Sequence, residues 1–201
     1  MTQQTKKERI IRLLQRKGML RPRDLDSLGI SREYLNRLFK DGILDRPSRG
    51  LYTLLDAFPS EHRSIVEACK LVPHGTICLL TALRFHDLTT QSPFEIWMAI
   101  DEKARHPKIE FPPLRIARFS GQSLSFGIQQ QRVEETTVPV YSPAKTVADC
   151  FKYRNKIGLD VAIEALRDCL KQKKATHDEI WQAAKICRMT NVMRPYLESL
   201  A

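Results

Sequence analysis

The spacing of apolar residues predicts three short helices within the first 42 residues of the chain. The first covers KKERIIRLLQRK, where Ile10, Leu13 and Leu14 share one helical face and Gly18 follows as a stop signal. The other two helices flank Gly29, which supplies the tight turn between them. The pattern therefore predicts a helix, a turn and a further helix in close succession.

The two helices around the glycine have recognisable end signals. Pro22 suits the first turn of the second helix, and Leu25 and Leu28 form its apolar face. Ser31 is predicted to be the N-cap of the third helix, with Glu33 in its first turn, where a carboxylate suits the helix dipole.

The third helix divides into an apolar and a polar face. Its inward face is predicted to consist of Leu35, Leu38 and Phe39. Its outward face carries four polar side chains, with Tyr34 at the margin: Arg32, Asn36, Arg37 and Lys40. Gly42 is predicted to end this helix.

A basic hairpin is predicted directly after the third helix. Residues 44–46 and Leu51–Leu54 have the composition of strands around the turn sequence PSRG, with Arg46, Ser48 and Arg49 near its tip. Helix, turn, helix and hairpin in this order form the pattern of a winged helix-turn-helix, whose third helix can enter the major groove of DNA.

The middle of the chain mixes helix and strand patterns. Helices are predicted over 61–72, with Ser60 as N-cap, and within 76–86. The alternating segment FEIWMAI at 94–100 is the best strand pattern, and Leu114–Phe119 predicts another. Residues 129–141 predict two more strands around the polar stretch 134–137, and the proline-rich HPKIEFPPL predicts an ordered loop.

Helical patterns return at Ser142. Ser142 is expected to cap a helix that has Pro143 in its first turn and three inward residues: Val147, Cys150 and Phe151. Further helices are predicted over 159–170, His177–Cys187 and 196–200.

These elements predict a mixed α/β (α+β) protein of two domains. The winged helix-turn-helix is predicted to occupy residues 1–56, and the sequence DAFPS at 56–60 is predicted to be a linker. A second domain covers 57–201, with an α/β core to about residue 141 and a helical bundle over 142–201.

The charge distribution changes this picture from a fold to a candidate partner. The chain has 33 Lys and Arg against 23 Asp and Glu, a net charge of +10. Residues 1–56 hold 13 basic and 7 acidic side chains, so +6 lies in the N-terminal quarter. Such an asymmetry favours nucleic acid as the partner of that quarter, whereas a membrane surface is disfavoured because the basic residues do not line a long amphipathic helix.

The side chains of the third helix and hairpin suggest separate roles on DNA. Arg32, Asn36 and Arg37 carry the forked groups that match base edges in the major groove. Cations suited to phosphate contact are Lys40, Arg46 and Arg49. Ser31, Tyr34 and Ser48 complete the candidate interface. The alternative is that these are solvated charges, or that the unit docks a protein.

Several classes of chemistry lack a sequence signature. The five histidines are scattered, the five cysteines form no C-x-x-C pair, and no phosphate-binding or nucleophile motif occurs. We therefore expect no metal, no cofactor and no enzyme activity, with the cysteines mostly buried. No run reaches membrane-spanning length and the N-terminus lacks a signal-peptide core, so a cytoplasmic location is expected.

Two segments nevertheless invite a chemical interpretation. The sequence Asp-Glu-Lys at 101–103 follows a strand, as in some metal-dependent nucleases, but a charged loop is the favoured interpretation. In SPAKTVAD at 142–149, the helix N-terminus could hold an anion, or Lys145 and Asp149 could pair along the helix. The pairing is favoured, and His86 is expected to be a partly buried, hydrogen-bonded histidine.

Four segments together resemble one protein family. The wing ending RGLYTL, the stretch CLLTALRFHDLTTQSPFEIWMAI, the stretch VYSPAKTVADCFKYRNKIGLDVAIEAL, and MRPYLESL are similar, in this order, to the AbiEi family of type IV antitoxins. The resemblance spans nearly the whole chain.

The resemblance implies a phage-defence antitoxin. Such proteins repress their own operon by binding inverted repeats in its promoter through an N-terminal winged helix-turn-helix, which implies double-stranded DNA as the partner and two copies on it. Their C-terminal domain counters a nucleotidyltransferase-like toxin, in many members without a stable complex.

The resemblance also extends to single positions of the second domain. Five residues match the family's pattern without an agreed role: Thr81, His86, Lys145, Thr146 and Asp149. Asp87 departs from it, because glycine is more common there. The resemblance leaves two rival functions to test: a plain winged-helix regulator with a ligand-sensing or dimerising C-terminal domain, and an enzyme using the acidic loop at 101–103.

Overall fold

The chain forms two compact units in the computed structural model, which describes residues 5–55, 63–109, 111–133 and 136–200. The N-terminal unit falls within Met1–Glu67 and also takes in Arg132–Thr137. The C-terminal unit comprises Ala68–Gln131 and Val138–Ala201. The predicted boundary at residue 56, its linker and the cap at Ser60 lie outside the described residues, so this boundary stays a prediction.

The N-terminal unit has the helix-turn-helix and hairpin order that the pattern predicts. Its elements are α1 Lys6–Lys17, β1 Met19–Leu20, a 3-10 helix Pro22–Leu28, α2 Glu33–Lys40, β2 Leu44–Ser48 and β3 Leu51–Leu54. The strands form an antiparallel sheet in the order β1-β3-β2. The two-residue strand β1 was not predicted, because so short a segment carries no alternation.

The ends of α1 follow from its sequence. Thr5 and Glu8 form a capping box, in which each side chain accepts from the other residue's backbone N–H. At the other end, the N–H of Gly18 donates to the carbonyl of Leu14. Both Ile10 and Leu14 are buried, which confirms the predicted inward face.

The second predicted helix is a 3-10 helix rather than an α-helix. Asp24 accepts from the backbone N–H of Arg21, and the hydroxyl of Ser27 donates to the carbonyl of Asp24. Such local bonds compete with the α-helical pattern in a short segment. Leu25 is buried and Gly29 is left-handed, as the turn requires.

The ends of α2 confirm one prediction and correct another. Ser31 is not its N-cap: the helix begins at Glu33, Arg32 occupies the cap position, and no side-chain hydrogen bond caps it. At the C-terminus, Gly42 has a φ of +70° and its N–H donates to the carbonyl of Phe39, while the N–H of Ile43 donates to that of Leu38. This Schellman arrangement ends the helix where predicted.

The remaining elements alternate between helix and strand before becoming helical. They are α3 Arg63–Leu71, β4 Thr76–Ile77, α4 Leu79–Phe85, β5 Ile96–Asp101, β6 Leu114–Phe119, α5 Gln122–Ser125, β7 Ile128–Val133, β8 Thr136–Tyr141, α6 Pro143–Lys152, α7 Arg154–Ile157, α8 Leu159–Lys171, α9 His177–Cys187 and α10 Thr190–Glu198. The strands form one sheet in the order β6-β5-β4-β8-β7. Strands β5 and β6 are parallel, as are β4 and β8, whereas β4 and β5 are antiparallel.

The mixed α/β class is confirmed, with adjustments at element ends. The strand predicted from residue 94 begins at Ile96, and Phe94 is 85% exposed. The last helix begins at Thr190 rather than 196, and β4 precedes the helix predicted within 76–86. The two strands predicted within 129–141 are β7 and β8.

Helix α6 is the centre of the C-terminal unit, with α4, α8 and α9 packed around it. The hydroxyl of Ser142 accepts from the N–H of Lys145, and Pro143 fills the first turn, as predicted. Val147, Cys150 and Phe151 are fully buried. Within the described residues, no helix is long and apolar enough to cross a bilayer.

Candidate nucleic-acid interface

Helix α2 is held in the N-terminal unit by two buried leucines. Leu35 and Leu38 lie in one apolar cluster with residues of α1, the 3-10 helix and the wing strands. Since both anchors lie on one side of the helix, the opposite side is left to solvent. The anchoring thus presents an eight-residue helix with a fixed outer face.

Three polar residues of that outer face have no intramolecular partner. Asn36, Arg37 and Lys40 are exposed. Within the part of the chain that the structure describes, their side chains make no hydrogen bond or ion pair. Their donors and acceptors are therefore available to a ligand without the loss of an existing contact. Ser31 is also exposed, and Tyr34 is half-buried against the cluster.

Arg32, in contrast, is already paired. Its Nε donates to Oδ1 of Asp26 at 2.9 Å and its Nη2 donates to Oδ2, so the guanidinium is bound by both carboxylate oxygens. This hydrogen bonding by Arg32 lowers the pKa of Asp26. Both side chains are well exposed, so the pair costs little to open. Sequence reasoning missed Asp26 because the pair joins two different helices across the turn.

Removal of the Asp26 charge is expected to release Arg32 toward DNA. In Asp26→Asn, affinity for any duplex should rise and the dependence of log K on log salt should steepen by about one, because the released Arg32 adds one unpaired cation to the surface that faces the negatively charged DNA. Fluorescence anisotropy titrations at several salt concentrations would measure both.

Asp41→Asn is the matched control for that experiment. Asp41 is an exposed carboxylate at the C-terminal end of α2, and its removal changes the net charge equally without releasing an arginine. If Asp26→Asn strengthens binding no more than Asp41→Asn does, Arg32 is not restrained by its partner.

The wing, which is the hairpin formed by β2 and β3, lies beside the C-terminal end of α2. Arg49 is exposed at the tip, next to Gly50 with its φ of +77°, and Arg46 is exposed on β2. The guanidinium carbon of Arg46 is 5.4 Å from the centroid of the Phe39 ring, which is the geometry of a cation–π contact. This contact places Arg46 beside the C-terminal end of α2.

Phe39 corrects the predicted inward face of α2. It is 38% exposed, and its ring makes an edge-to-face contact with Tyr52 at 6.4 Å. Leu35 and Leu38 already fill the apolar cluster, so Phe39 lies at its edge and contacts the wing instead. No local signal distinguishes such a position from a buried one, because the neighbours that decide it come from β2 and β3.

Ser48 is engaged within the N-terminal unit. Its hydroxyl donates to Oε1 of Glu67 at 2.8 Å, and Glu67 itself is only 1% exposed. Burial raises the pKa of Glu67, while the bond from Ser48 lowers it. A DNA contact by Ser48 would have to share its hydroxyl with this carboxylate.

The acidic loop after β5 has the bonding of a structural turn. The carboxylate of Asp101 accepts from the N–H of Lys103, and Arg118 donates to the carbonyls of Asp101, Glu102 and Ala104. Across the described ranges, no group of three or more His, Cys, Asp or Glu side chains is placed to hold a metal.

The residues of the second domain that match the family pattern all lie in the core. Thr81, His86, Lys145, Thr146 and Asp149 are each at most 8% exposed. The carbonyl of Tyr141 accepts from His86 Nε2 at 2.7 Å and from the hydroxyl of Thr146 at 3.2 Å. The hydroxyl of Thr81 accepts from the N–H of Trp97. These contacts join α4 and α6 to the sheet.

Lys145 and Asp149 form the predicted pair, but inside the core. Nζ of Lys145 donates to Oδ2 of Asp149, and the Cys187 thiol donates to Oδ1 at 3.2 Å. Nζ also lies 4.2 Å from the ring centroid of Tyr141 and 4.6 Å from that of Phe119. Burial raises the pKa of Asp149, and the charge of Lys145 opposes that shift.

Close packing fixes the position of this pair. A Cβ on Gly127 would lie 2.8 Å from the Cβ of Lys145, so the backbone approaches α6 where only glycine fits. The five cysteines are all buried and free, as expected. Burial raises the pKa of the Cys187 thiol to about 12, which leaves it unreactive at neutral pH.

His86 is expected to make the C-terminal unit sensitive to acid. Burial lowers its pKa, and Nε2 must donate because the Tyr141 carbonyl can only accept. As the pH falls, the unfolded chain therefore binds a proton at this histidine before the folded chain does. The contribution of His86 to the free energy of unfolding is fully present above about pH 6.5 and is lost as the pH drops toward the lowered pKa of the folded state.

Thermal unfolding between pH 7.5 and 5 would test this dependence. His86→Gln should flatten it in that window, whereas His74→Gln, at an exposed position, should leave it unchanged. An undiminished pH dependence in His86→Gln would assign the acid sensitivity to other groups.

No curated protein matches the chain. One family model does match, described as a transcriptional regulator and AbiEi antitoxin, and its match extends from α1 through the wing. The resemblance to AbiEi antitoxins is thereby confirmed for residues 8–55, the segment that matches this family of antitoxin transcriptional regulators.

Proposed function

We propose that this chain is the antitoxin of a type IV toxin–antitoxin system and the repressor of its own operon. The observation that carries the proposal is the outer face of α2, where Asn36, Arg37 and Lys40 stand exposed and unpaired among the described residues. That face belongs to a segment that matches antitoxin transcriptional regulators. The operator is an inverted repeat upstream of the operon.

The residues of the unit divide into three roles on DNA. Asn36 and Arg37 contact base edges from the centre of α2, because their side chains can form paired hydrogen bonds there. Contacts to phosphate come from Lys40, Arg46 and Arg49. Arg32 contacts a base only after its hydrogen bonds with Asp26 have opened. Ser31, Tyr34 and Ser48 lie at the margin of the interface.

An inverted repeat implies two copies of the chain on one operator. Each copy places one α2 in the major groove of one half-site, and half-sites on the same face of DNA are about 34–36 Å apart. The symmetry of the operator therefore sets the arrangement of the two copies.

The C-terminal domain counters the toxin, a nucleotidyltransferase-like protein, in defence against phage. The five family-pattern residues serve this role indirectly, since their burial leaves them to hold α4, α6 and the sheet together. This domain catalyses no reaction. It counters the toxin by binding or by regulating another molecule.

One experiment in cells separates repression from neutralisation. The full chain is expressed from an inducible promoter beside a reporter driven by the operon's own promoter and a separately controlled toxin. The wild type should silence the reporter and restore growth. Arg37→Ala should lose repression but still restore growth. The control Arg105→Ala, at an exposed loop position, should repress the reporter and restore growth as the wild type does.

Two outcomes would contradict the proposal. Repression without any rescue by the wild type would leave a plain winged-helix regulator. Rescue without repression would remove the autorepressor role.

A further inference from the structure

The tip of the wing is held only weakly by its own strand pairing. Near the base of the hairpin Asp45 pairs with Thr53, but the register then shifts before Ser48 pairs with Leu51. Pro47 lies in the shifted stretch, and proline has no N–H to donate to a neighbouring strand. Within residues 44–54, all of which the structure describes, a single pair therefore lies beyond the irregularity and closes the turn.

The residues of that last pair are both anchored in the N-terminal unit. On β2, the hydroxyl of Ser48 donates to Oε1 of Glu67 at 2.8 Å, and Glu67, which belongs to α3, is only 1% exposed. On β3, Leu51 is fully buried. A hydrogen bond thus holds one strand of the tip and apolar burial holds the other.

A buried carboxylate is a costly anchor for a hairpin. Removal of a carboxylate from water costs free energy that hydrogen bonds must offset. Burial accordingly raises the pKa of Glu67, although the bond from Ser48 opposes that shift. An apolar side chain at position 67 would fill the same space at less cost to folding, but it could not accept a hydrogen bond from the wing. This cost is explained if the position of the tip matters for binding.

The residue that depends most on this anchor is Arg49. It follows Ser48 directly, it is exposed, and it makes no hydrogen bond or ion pair among the described residues. The ordering of a loop and a long side chain during binding costs free energy, so a cation binds phosphate more tightly when its backbone is already held in place.

We propose that Glu67 is a positioning residue for DNA binding, which acts through Ser48 to hold the wing tip where Arg49 meets a phosphate of the duplex. The proposal rests on the proposed function in one respect, namely that α2 and the wing bind duplex DNA together. Ser48 then serves the interface through its bond with Glu67 rather than through a contact of its own with DNA.

The test compares Glu67→Leu with Glu67→Gln in the full chain. Both substitutions remove the carboxylate, but glutamine keeps an oxygen that can accept from the hydroxyl of Ser48, whereas leucine keeps none. Fluorescence anisotropy titrations of a labelled duplex at several salt concentrations would give the affinity and the salt slope. Urea unfolding monitored by circular dichroism would report the stability of each variant.

Glu67→Leu should bind any duplex about fivefold more weakly than Glu67→Gln at near-physiological salt, with a salt slope lower by about one, as the loss of one phosphate contact would produce. Its preference among bases should be unchanged. Its urea midpoint should be no lower than that of Glu67→Gln, because a buried leucine needs no hydrogen-bond partner.

The same pair of variants in an Arg49→Ala background separates positioning from a general effect on the fold. There Glu67→Leu and Glu67→Gln should bind DNA equally, because the contact that Glu67 serves is already gone. Equal binding by the two variants with Arg49 present would overturn the proposal, as would an equal difference with and without Arg49.

Ser48→Ala provides the test if Glu67→Leu does not fold. It removes the donor of the same hydrogen bond from a partly exposed position. It should weaken DNA binding when Arg49 is present and have no effect in the Arg49→Ala background. A loss that persists in that background would assign Ser48 a direct contact with DNA and overturn the positioning role of Glu67.

The proposed function fails separately. The comparison of the two variants can be made on any duplex, so a wild type that binds operator and unrelated DNA alike contradicts the proposed function and leaves the comparison intact. A wild type that prefers its operator, with equal binding by Glu67→Leu and Glu67→Gln, contradicts only the positioning role.

Discussion

Lys145→Ala is expected to destabilise the C-terminal unit by roughly 3–5 kcal/mol, because it leaves a fully buried carboxylate without its counter-charge. Among the described residues, Asp149 would keep only the Cys187 thiol as a side-chain hydrogen-bond donor, because the ammonium group of Lys145 would be gone. The contacts of Nζ with the rings of Tyr141 and Phe119 would be lost as well. Urea unfolding monitored by circular dichroism would measure the change.

The double variant Lys145→Met with Asp149→Leu controls for the loss of charge itself. Replacement of both partners by apolar side chains removes the uncompensated carboxylate, and buried pairs replaced in this way often lose little stability. The double variant should therefore be more stable than Lys145→Ala.

The loss of stability in Lys145→Ala should depend on pH. It should be smallest at acid pH, where Asp149 is protonated and no longer needs a counter-charge. A loss below about 1 kcal/mol in Lys145→Ala would contradict an energetically coupled pair.

Arg37→Ala is expected to weaken binding to the operator by about 1–3 kcal/mol and to remove discrimination at one base pair. The reason is that Arg37 is exposed at the centre of α2 and has no intramolecular partner among the described residues, so its hydrogen bonds are available to a base. Titrations with operators substituted at single positions would identify the base pair. Asn36→Ala should act similarly at a different one.

Lys40→Ala is the comparison for that result. It lies on the same face of the helix but is assigned to phosphate, so its loss should weaken binding to all duplexes alike and lower the salt slope by about one. Wild-type affinity and base preference in a folded Arg37→Ala variant would contradict the assignment of α2 to base recognition.

Much of the N-terminal unit follows from local sequence signals. Gly18, Gly29 and Gly42 end or turn helices where predicted, because each supplies a backbone conformation that the turn requires. The helical spacing of Leu35 and Leu38 is enough to predict that these two residues form the buried face of α2. In the C-terminal unit, Ser142 and Pro143 define the start of α6 in the same way.

The errors fall where distant parts of the chain decide the outcome. Phe39 lies at the edge of the apolar cluster, where its neighbours are Tyr52 and Arg46 of the wing, and its ring therefore stays partly exposed. Asp26 binds Arg32 across a turn, and nothing in either helix marks the pair. The i,i+4 spacing of Lys145 and Asp149 predicts their contact, but their complete burial depends on the sheet and on α9.

Asp87 lies in the tight turn that follows α4. The family favours glycine there, and Asp87 has a φ of +55° with its N–H bonded to the carbonyl of Arg84. The tight turn after α4 therefore forms despite the substitution. Aspartate is among the residues that tolerate this left-handed conformation.

If the N-terminal unit recognises a specific DNA sequence, its operator will displace it from DNA far better than an unrelated duplex in a competition binding experiment. The full chain is bound to a labelled duplex carrying the inverted repeats from upstream of its operon, at near-physiological salt. Unlabelled operator or a shuffled duplex of equal length and composition then competes. We expect the operator to compete about a thousandfold or more better than the shuffled duplex. Equal competition by the two duplexes would contradict it.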